Sequence, residues 1–263
     1  MSTDVADQAD GGGLPTAGWP AASALVMSRR DRVRAATSQE IIHTARRLLI
    51  EHGSAAVSLR AIAREMGMTA PALYRYYDSH EALIQHVVAD IFTELADDLE
   101  RAIGAEGDQA ADGGDAAVTA DKLVVACRAF RAWAIAHPRE FGMIFGSPLP
   151  GVDLHHDSPL IECGRRMGTI FLDLFGELWR LTRFPAPADE SLDASLRAQV
   201  ACYRDEIGSD LPIGVLLVFL RCWVQLYGTV AMEVFGHMKF AVDNPEPMFE
   251  LVLGDLAAMV GIS

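Results

Sequence analysis

Residues 58–83 read SLRAIAREMGMTAPALYRYYDSHEAL, and two short helical patterns meet inside them at Gly67. Ser58 can accept a backbone amide as an N-cap. Leu59, Ile62, Ala63 and Met66 then recur on one face of a helix. Gly67 breaks that helix, because glycine adopts turn conformations that other residues resist. Thr69 can cap a second short helix, with Pro71 tolerated in its first turn, where no intrahelical amide is needed. Leu73 and Tyr77 are its inward residues. Asp78 and Ser79 stop it, and a further helix starts near Ser79 with Glu81 in its first turn. Upstream, Ile41, Ile42, Ala45, Leu48 and Leu49 make one apolar stripe, which predicts a longer helix over 37–52, ended by Gly53.

This segment is basic, yet the 263-residue chain carries a net charge of −14. Residues 28–77 hold nine arginines against four acidic residues, a local +5. Residues 78–263 sum to −16 and the first 27 to −3. A basic head on an acidic body is the electrostatic footprint of a nucleic-acid reader, and repulsion between body and phosphate confines contact to the head. A longer helix followed by two short ones across a glycine turn is a helix-turn-helix layout. Its later short helix enters the DNA major groove and presents N-terminal residues to base edges. Those residues are Thr69, Ala70, Pro71 and Ala72, followed by Tyr74 and Arg75. Alanine and proline side chains offer only apolar contact to thymine methyls, whereas Arg60 and Arg75 can fork onto guanine. Tyr74, Tyr76 and His80 are placed for phosphates, with the amides opening the fourth helix. Arg29 and Arg30 lead an arm, running to Arg34, suited to the backbone or a minor groove.

Residues 37–88, TSQEIIHTARRLLIEHGSAAVSLRAIAREMGMTAPALYRYYDSHEALIQHVV, resemble the DNA-binding domain of the TetR family of transcriptional regulators. The resemblance is carried by Ala45, Leu48 and Gly53 in the first helix, by SLRAIA at 58–63, by Gly67, and most specifically by ALYRYYDSHEAL at 72–83. It implies that Arg60, Ala70, Pro71, Ala72 and Arg75 face bases, and that Ser58, Tyr74, Tyr76 and His80 face phosphates of double-stranded operator DNA. The family usually has lysine where His80 stands, a departure that weakens that phosphate contact.

The rest of the chain reads as helices. The fourth runs past Glu100, residues 105–120 read as an exposed loop, and 121–138 form an amphipathic helix. Pro138 opens a short apolar helix, 147–157 read as a loop, and Ser158-Pro159 opens a long helix to about Leu181. An acidic helix over 190–206, a strongly apolar one over 211–237, and one begun by Asn244-Pro245 complete the chain. The expected architecture is all-α: a disordered leader (1–28), a three-helix helix-turn-helix DNA-binding domain (29–82), and a larger helical ligand-binding and dimerisation domain (83–263). HPREFGMIF (137–145) and WVQLYG (223–228) resemble segments of one group within the same family. That resemblance implies a pocket enclosed by the middle helices and a homodimer built by the last two long helices. Two-fold symmetry also suits a palindromic operator. The pocket residues are expected to be Phe130, Trp133, Phe141, Met143, Phe145, Met167, Phe171, Phe175, Trp179, Trp223 and Tyr227, around a small hydrophobic or aromatic effector. A cavity too small or too polar for such a molecule defeats that expectation.

Other classes are disfavoured. Cys127, Cys163, Cys202 and Cys222 form no CxxC pair and read as four buried thiols in a reducing cytoplasm. His155-His156 reads as solvated, so no metal and no cofactor is expected. The first 27 residues hold no lysine or arginine, against a secretory signal, and Met27 is an alternative start. The apolar stretch 211–238 contains Arg221 and lacks a flanking basic cluster, which favours a buried helix forming a subunit interface over a membrane span. No phosphate loop, nucleophile elbow or metal cluster speaks for an enzyme. The expected function is a ligand-responsive, homodimeric cytoplasmic repressor, the alternatives being an activator or a ligand-independent DNA-binding factor.

Overall fold

The computed structural model describes residues 28–53, 57–107, 115–146 and 159–262. The leader, Met27 and the 147–157 segment with His155 and His156 lie outside the described residues. All regular structure among the described residues is helical. The chain divides into two compact units, at Ser38 and Gln39.

In the first unit the described residues, 28–38, form the opening of helix α1, which runs Arg29–His52. The sequence placed this start eight residues later, leaving Arg29–Arg34 as an arm. The difference has a local cause. Ser28 acts as an N-cap: its hydroxyl accepts the Asp31 amide at 3.1 Å, and its carbonyl accepts the Arg32 amide at 3.0 Å. Arg29 and Arg30 are exposed on that first turn.

In the second unit the described residues from Gln39 onward pack around one continuous hydrophobic core. Ile41, Ile42, Ala45, Leu48 and Leu49 of α1 are buried, as the stripe requires. Gly53 follows α1 at φ +78°. Helix α2 (Leu59–Glu65) is capped by the Ser58 hydroxyl, which accepts the Ala61 amide at 3.1 Å. Gly67 turns the chain at φ +64°, and the Met68 amide donates back to the Ala63 carbonyl at 2.8 Å, closing the helix end. Helix α3 (Ala70–Leu73) starts at Thr69, but the threonine hydroxyl makes no capping bond. Its carbonyl accepts the Ala72 and Leu73 amides at 2.9 and 3.2 Å instead. Leu73 and Tyr77 are buried.

Helix α4 (His80–Gly107), about 42 Å long by its residue count, buries one side from Leu83 to Leu99. Helix α5 spans Asp115–Ala136, so part of the expected loop at 105–120 is helical. Asp115 supplies a carboxylate to the first turn, which favours the helix dipole. Then come α6 (Pro138–Phe145), α7 (Pro159–Thr182), a 3₁₀ turn at Asp189–Ser191, α8 (Ala194–Glu206), α9 (Ile213–Val234) and α10 (Glu246–Met259). Helix α8 begins after the 3₁₀ turn because Asp193 caps it, accepting the Ser195 and Leu196 amides at 3.0 and 3.1 Å. Arg131 of α5 forms two 2.7 Å bonds to Glu233 of α9, and Arg128 pairs with Glu250 of α10. The start of α9 lies close to the chain before it: a Cβ on Gly214 would stand 1.9 Å from the Pro187 carbonyl oxygen. Helix α9 is long and apolar enough to cross a membrane, with 44% of its most apolar stretch buried in the protein. The expectation of four buried thiols needs correction: Cys127 is buried, Cys222 half-buried, and Cys202 exposed, because α8 buries only Val200, while the Cys163 side chain lies outside those described.

Candidate nucleic-acid interface and body cavities

The turn at Gly67 sets α3 beside α2 and leaves a run of side chains on the surface. Ser58, Arg60, Thr69, Pro71, Tyr74 and Arg75 are exposed, Tyr74 by 46%, while Ala70 and Ala72 are half-buried. Burial of Leu59, Ile62, Ala63 and Leu73 dictates this outward set, since residues between inward positions must face away. Two expected phosphate contacts are placed differently. Tyr76 is half-buried against the core. The Nε2 atom of His80 is shut off from solvent and has no hydrogen-bond partner, so that nitrogen does not point outward. The Ser79 hydroxyl accepts the Ala82 amide at 3.0 Å and caps α4.

The eleven expected pocket residues do not enclose a ligand-sized space together. Phe130, Phe141, Phe145, Phe171, Trp223 and Tyr227 pack ring against ring, with centroids 5.0–6.4 Å apart. The Tyr227 hydroxyl donates to the Phe145 carbonyl at 2.7 Å. Trp133 stacks on His137, and Trp179 lies beneath the Arg183 guanidinium. Met143 and Met167 are buried. Beside this cluster is an apolar cavity of about 50 Å³, lined by Phe171, Phe175 and Trp223 from the expected set, and also by Cys127, Cys222, Leu253 and neighbours. Burial pushes the Cys127 thiol up to about 12 and that of Cys222 to about 11, so both line it as neutral groups. Drug-sized ligands need roughly 300–1,000 Å³. The larger space is a groove of about 600 Å³ along a different face of α7. Gly164, Gly168, Leu172 and Gly176 lie along it, with Phe92 of α4, Ile144 of α6, and Tyr203, Ile207 and Leu211. Sequence reading missed this site because three of its α7 residues are glycines, which carry no pattern of their own.

Sequence reading also missed Arg46. From α1, its guanidinium forms a fork onto the Glu94 carboxylate of α4, with Nη2 3.2 Å from Oε1. Nη2 also donates to Glu140 Oε1 of α6 at 3.2 Å, and Nη1 lies 3.7 Å from Asp90 Oδ2. Glu140 is only 7% exposed. The Arg46 hydrogen bonds hold the Glu94 carboxyl below the usual carboxylate range, against the opposing effect of burial. His137 Nε2 stands 3.7 Å from Glu94 Oε1.

A helix-turn-helix with an exposed basic, aromatic recognition run, joined to a larger helical body, defines a DNA-binding regulator. Comparison with known proteins gives its family. Residues 41–87 match the family model for bacterial regulatory proteins of the tetR family, and residues 123–256 match the tetracyclin repressor-like C-terminal domain. The HTH-type transcriptional regulator Rv1816 of Mycobacterium tuberculosis (strain H37Rv) is 32% identical over 216 residues, covering 80% of this chain and 86% of that one. The crystal structure of the regulatory protein SCO4313 superposes with a TM-score of 0.66 at 28% identity, covering 88% of this chain and all of that one. A TetR-family regulator from Marinobacter aquaeolei VT8 shares the fold, with a TM-score of 0.52 at 14% identity, 89% of this chain and 98% of that one. The chain belongs to the TetR family of transcriptional regulators.

Proposed function

We propose that this regulator is a homodimeric repressor that reads a palindromic operator and is released from it by a small molecule. The exposed residues Thr69, Pro71, Tyr74 and Arg75 carry the reading. Arg60 and Arg75 contact bases with Ala70, Pro71 and Ala72, while Ser58 and Tyr74 take phosphates and Arg29 and Arg30 extend the contact. The functional division follows 29–82 for DNA and 83–263 for effector and dimer. Val224, Met232, Met248 and Leu251 support dimerisation: these exposed apolar residues lie on α9 and α10, and Val224 is 66% and Leu251 62% exposed. A second copy meeting the same face covers them with two-fold symmetry. The effector occupies the α7 groove rather than the aromatic core, because the groove has the necessary volume and the cavity beside the core does not.

The test begins with duplexes enriched by the wild-type protein from a random pool. Arg75→Ala is expected to weaken binding to the enriched sequence by about 1–3 kcal/mol. Tyr74→Phe, losing one hydroxyl, is expected to cost about 1 kcal/mol. Failure to enrich any sequence sinks the operator reading. Placing the enriched site over a promoter is expected to lower transcription when protein is added; a rise instead makes the protein an activator.

A further inference from the structure

The α7 groove and Arg46 are connected through the same two helices. Phe92, on the groove wall, stands two residues before Glu94 on α4. Ile144, also on the wall, stands one turn after Glu140 on α6, a spacing that puts both on one helix face. The Phe92 ring also meets Phe145 of α6 edge-to-face at 5.8 Å, which ties the groove walls of α4 and α6 to each other. A molecule seated in the groove touches α4 at Phe92 and α6 at Ile144. Glu94 and Glu140 bring both helices to one guanidinium on α1, where Asp90 adds a third carboxylate within 4 Å. A hydrogen bond at 3.2 Å weakens steeply with small displacements and poorer angles. We propose that Arg46 is a positioning residue that reports occupancy of the groove to the helix-turn-helix. Its bond to Glu140 holds the head in one orientation, and moving α6 releases it. DNA must then fix the orientation itself, which lowers affinity. This relay rests on the groove being the effector site.

The test needs no effector. A Cβ at Gly168 meets nothing within 4 Å, so Gly168→Phe places a tethered ring in the groove. Binding to the enriched duplex is compared for wild type, Glu140→Met, Gly168→Phe and the double variant. Thermal midpoint and sedimentation check that each is folded and assembled. Glu140→Met keeps the side-chain length, removes the acceptor for the Arg46 bond and leaves Glu94 on Arg46. Each single variant is expected to weaken binding about fivefold or more, with the double no weaker than either single. Effects that multiply in the double variant overturn the relay, as does wild-type affinity in Glu140→Met. If Gly168→Phe alone binds like wild type while Glu140→Met is weak, the groove reading fails and the relay falls with it, leaving Arg46 as a tie between α1, α4 and α6.

Discussion

At the scale of single residues, Arg46 and His80 show what neighbours in sequence conceal. Arg46 and Arg47 read alike, as two cations on one helix. Arg47 lies on the surface with Glu51 and Glu65, whereas Arg46 is nearly enclosed by carboxylates 44 to 94 residues away. Nothing local distinguishes them, because the partners arrive only when α4 and α6 pack. The pairing has a pH signature. Glu94 has its folded-state pKa depressed, so its contribution to stability is present above the ordinary glutamate value of about 4.3. It is lost as pH falls through the lower folded value. Urea midpoints of wild type and Glu94→Gln are therefore expected to differ most near neutrality and to converge as pH falls below the ordinary glutamate value of about 4.3 and through the lower folded one. A constant gap across that range contradicts a charged role for Glu94.

At the scale of elements, α2 and α3 were legible because their signals are local: a Ser58 cap, an apolar face and a glycine at positive φ. The start of α1 escaped because Arg29–Arg34 carries no apolar stripe, and only the Ser28 cap marks it. The aromatic residues escaped in a different way. Their spacing shows that they face inward, but a packed core and a pocket wall use the same residues. Volume fit between α5, α6, α7 and α9 separates the two, and that fit is not written in any one helix. Helix α9 shows both faces of this problem. Phe219, Leu226 and Val230 are buried in the protein, while Val224 is open. Val224→Glu combined with Leu251→Glu is expected to convert the proposed dimer to a monomer in sedimentation, with helical content retained. A variant that stays dimeric moves the interface elsewhere.

At the scale of the whole molecule, charge separates the tasks. The head is positive in a chain of net −14, so attraction to DNA is concentrated where the recognition run lies. This asymmetry was fully legible, since charge is additive and needs no fold. Log affinity for the enriched duplex is expected to fall linearly with log salt. Replacing Arg29 and Arg30 together with alanine is expected to make that slope shallower by about 1 for every phosphate the two arginines neutralise, leaving sequence preference unchanged. An unchanged slope removes those two arginines from the interface.

The open stripe of α9 and α10 also bears on how the protein survives in a cell. These helices are synthesised after every other helix described, and if the proposed dimer forms through them, a single copy holds Val224, Met232 and Leu251 against water until another copy is found. Mass action then makes folded lifetime depend on copy number, because association stabilises the folded chain only in proportion to the partner's concentration. When expression falls, unmatched copies are the ones most exposed to proteases. On the proposed dimer, the pool of regulator would shrink faster than its synthesis rate alone dictates, sharpening the step between an occupied and an empty operator.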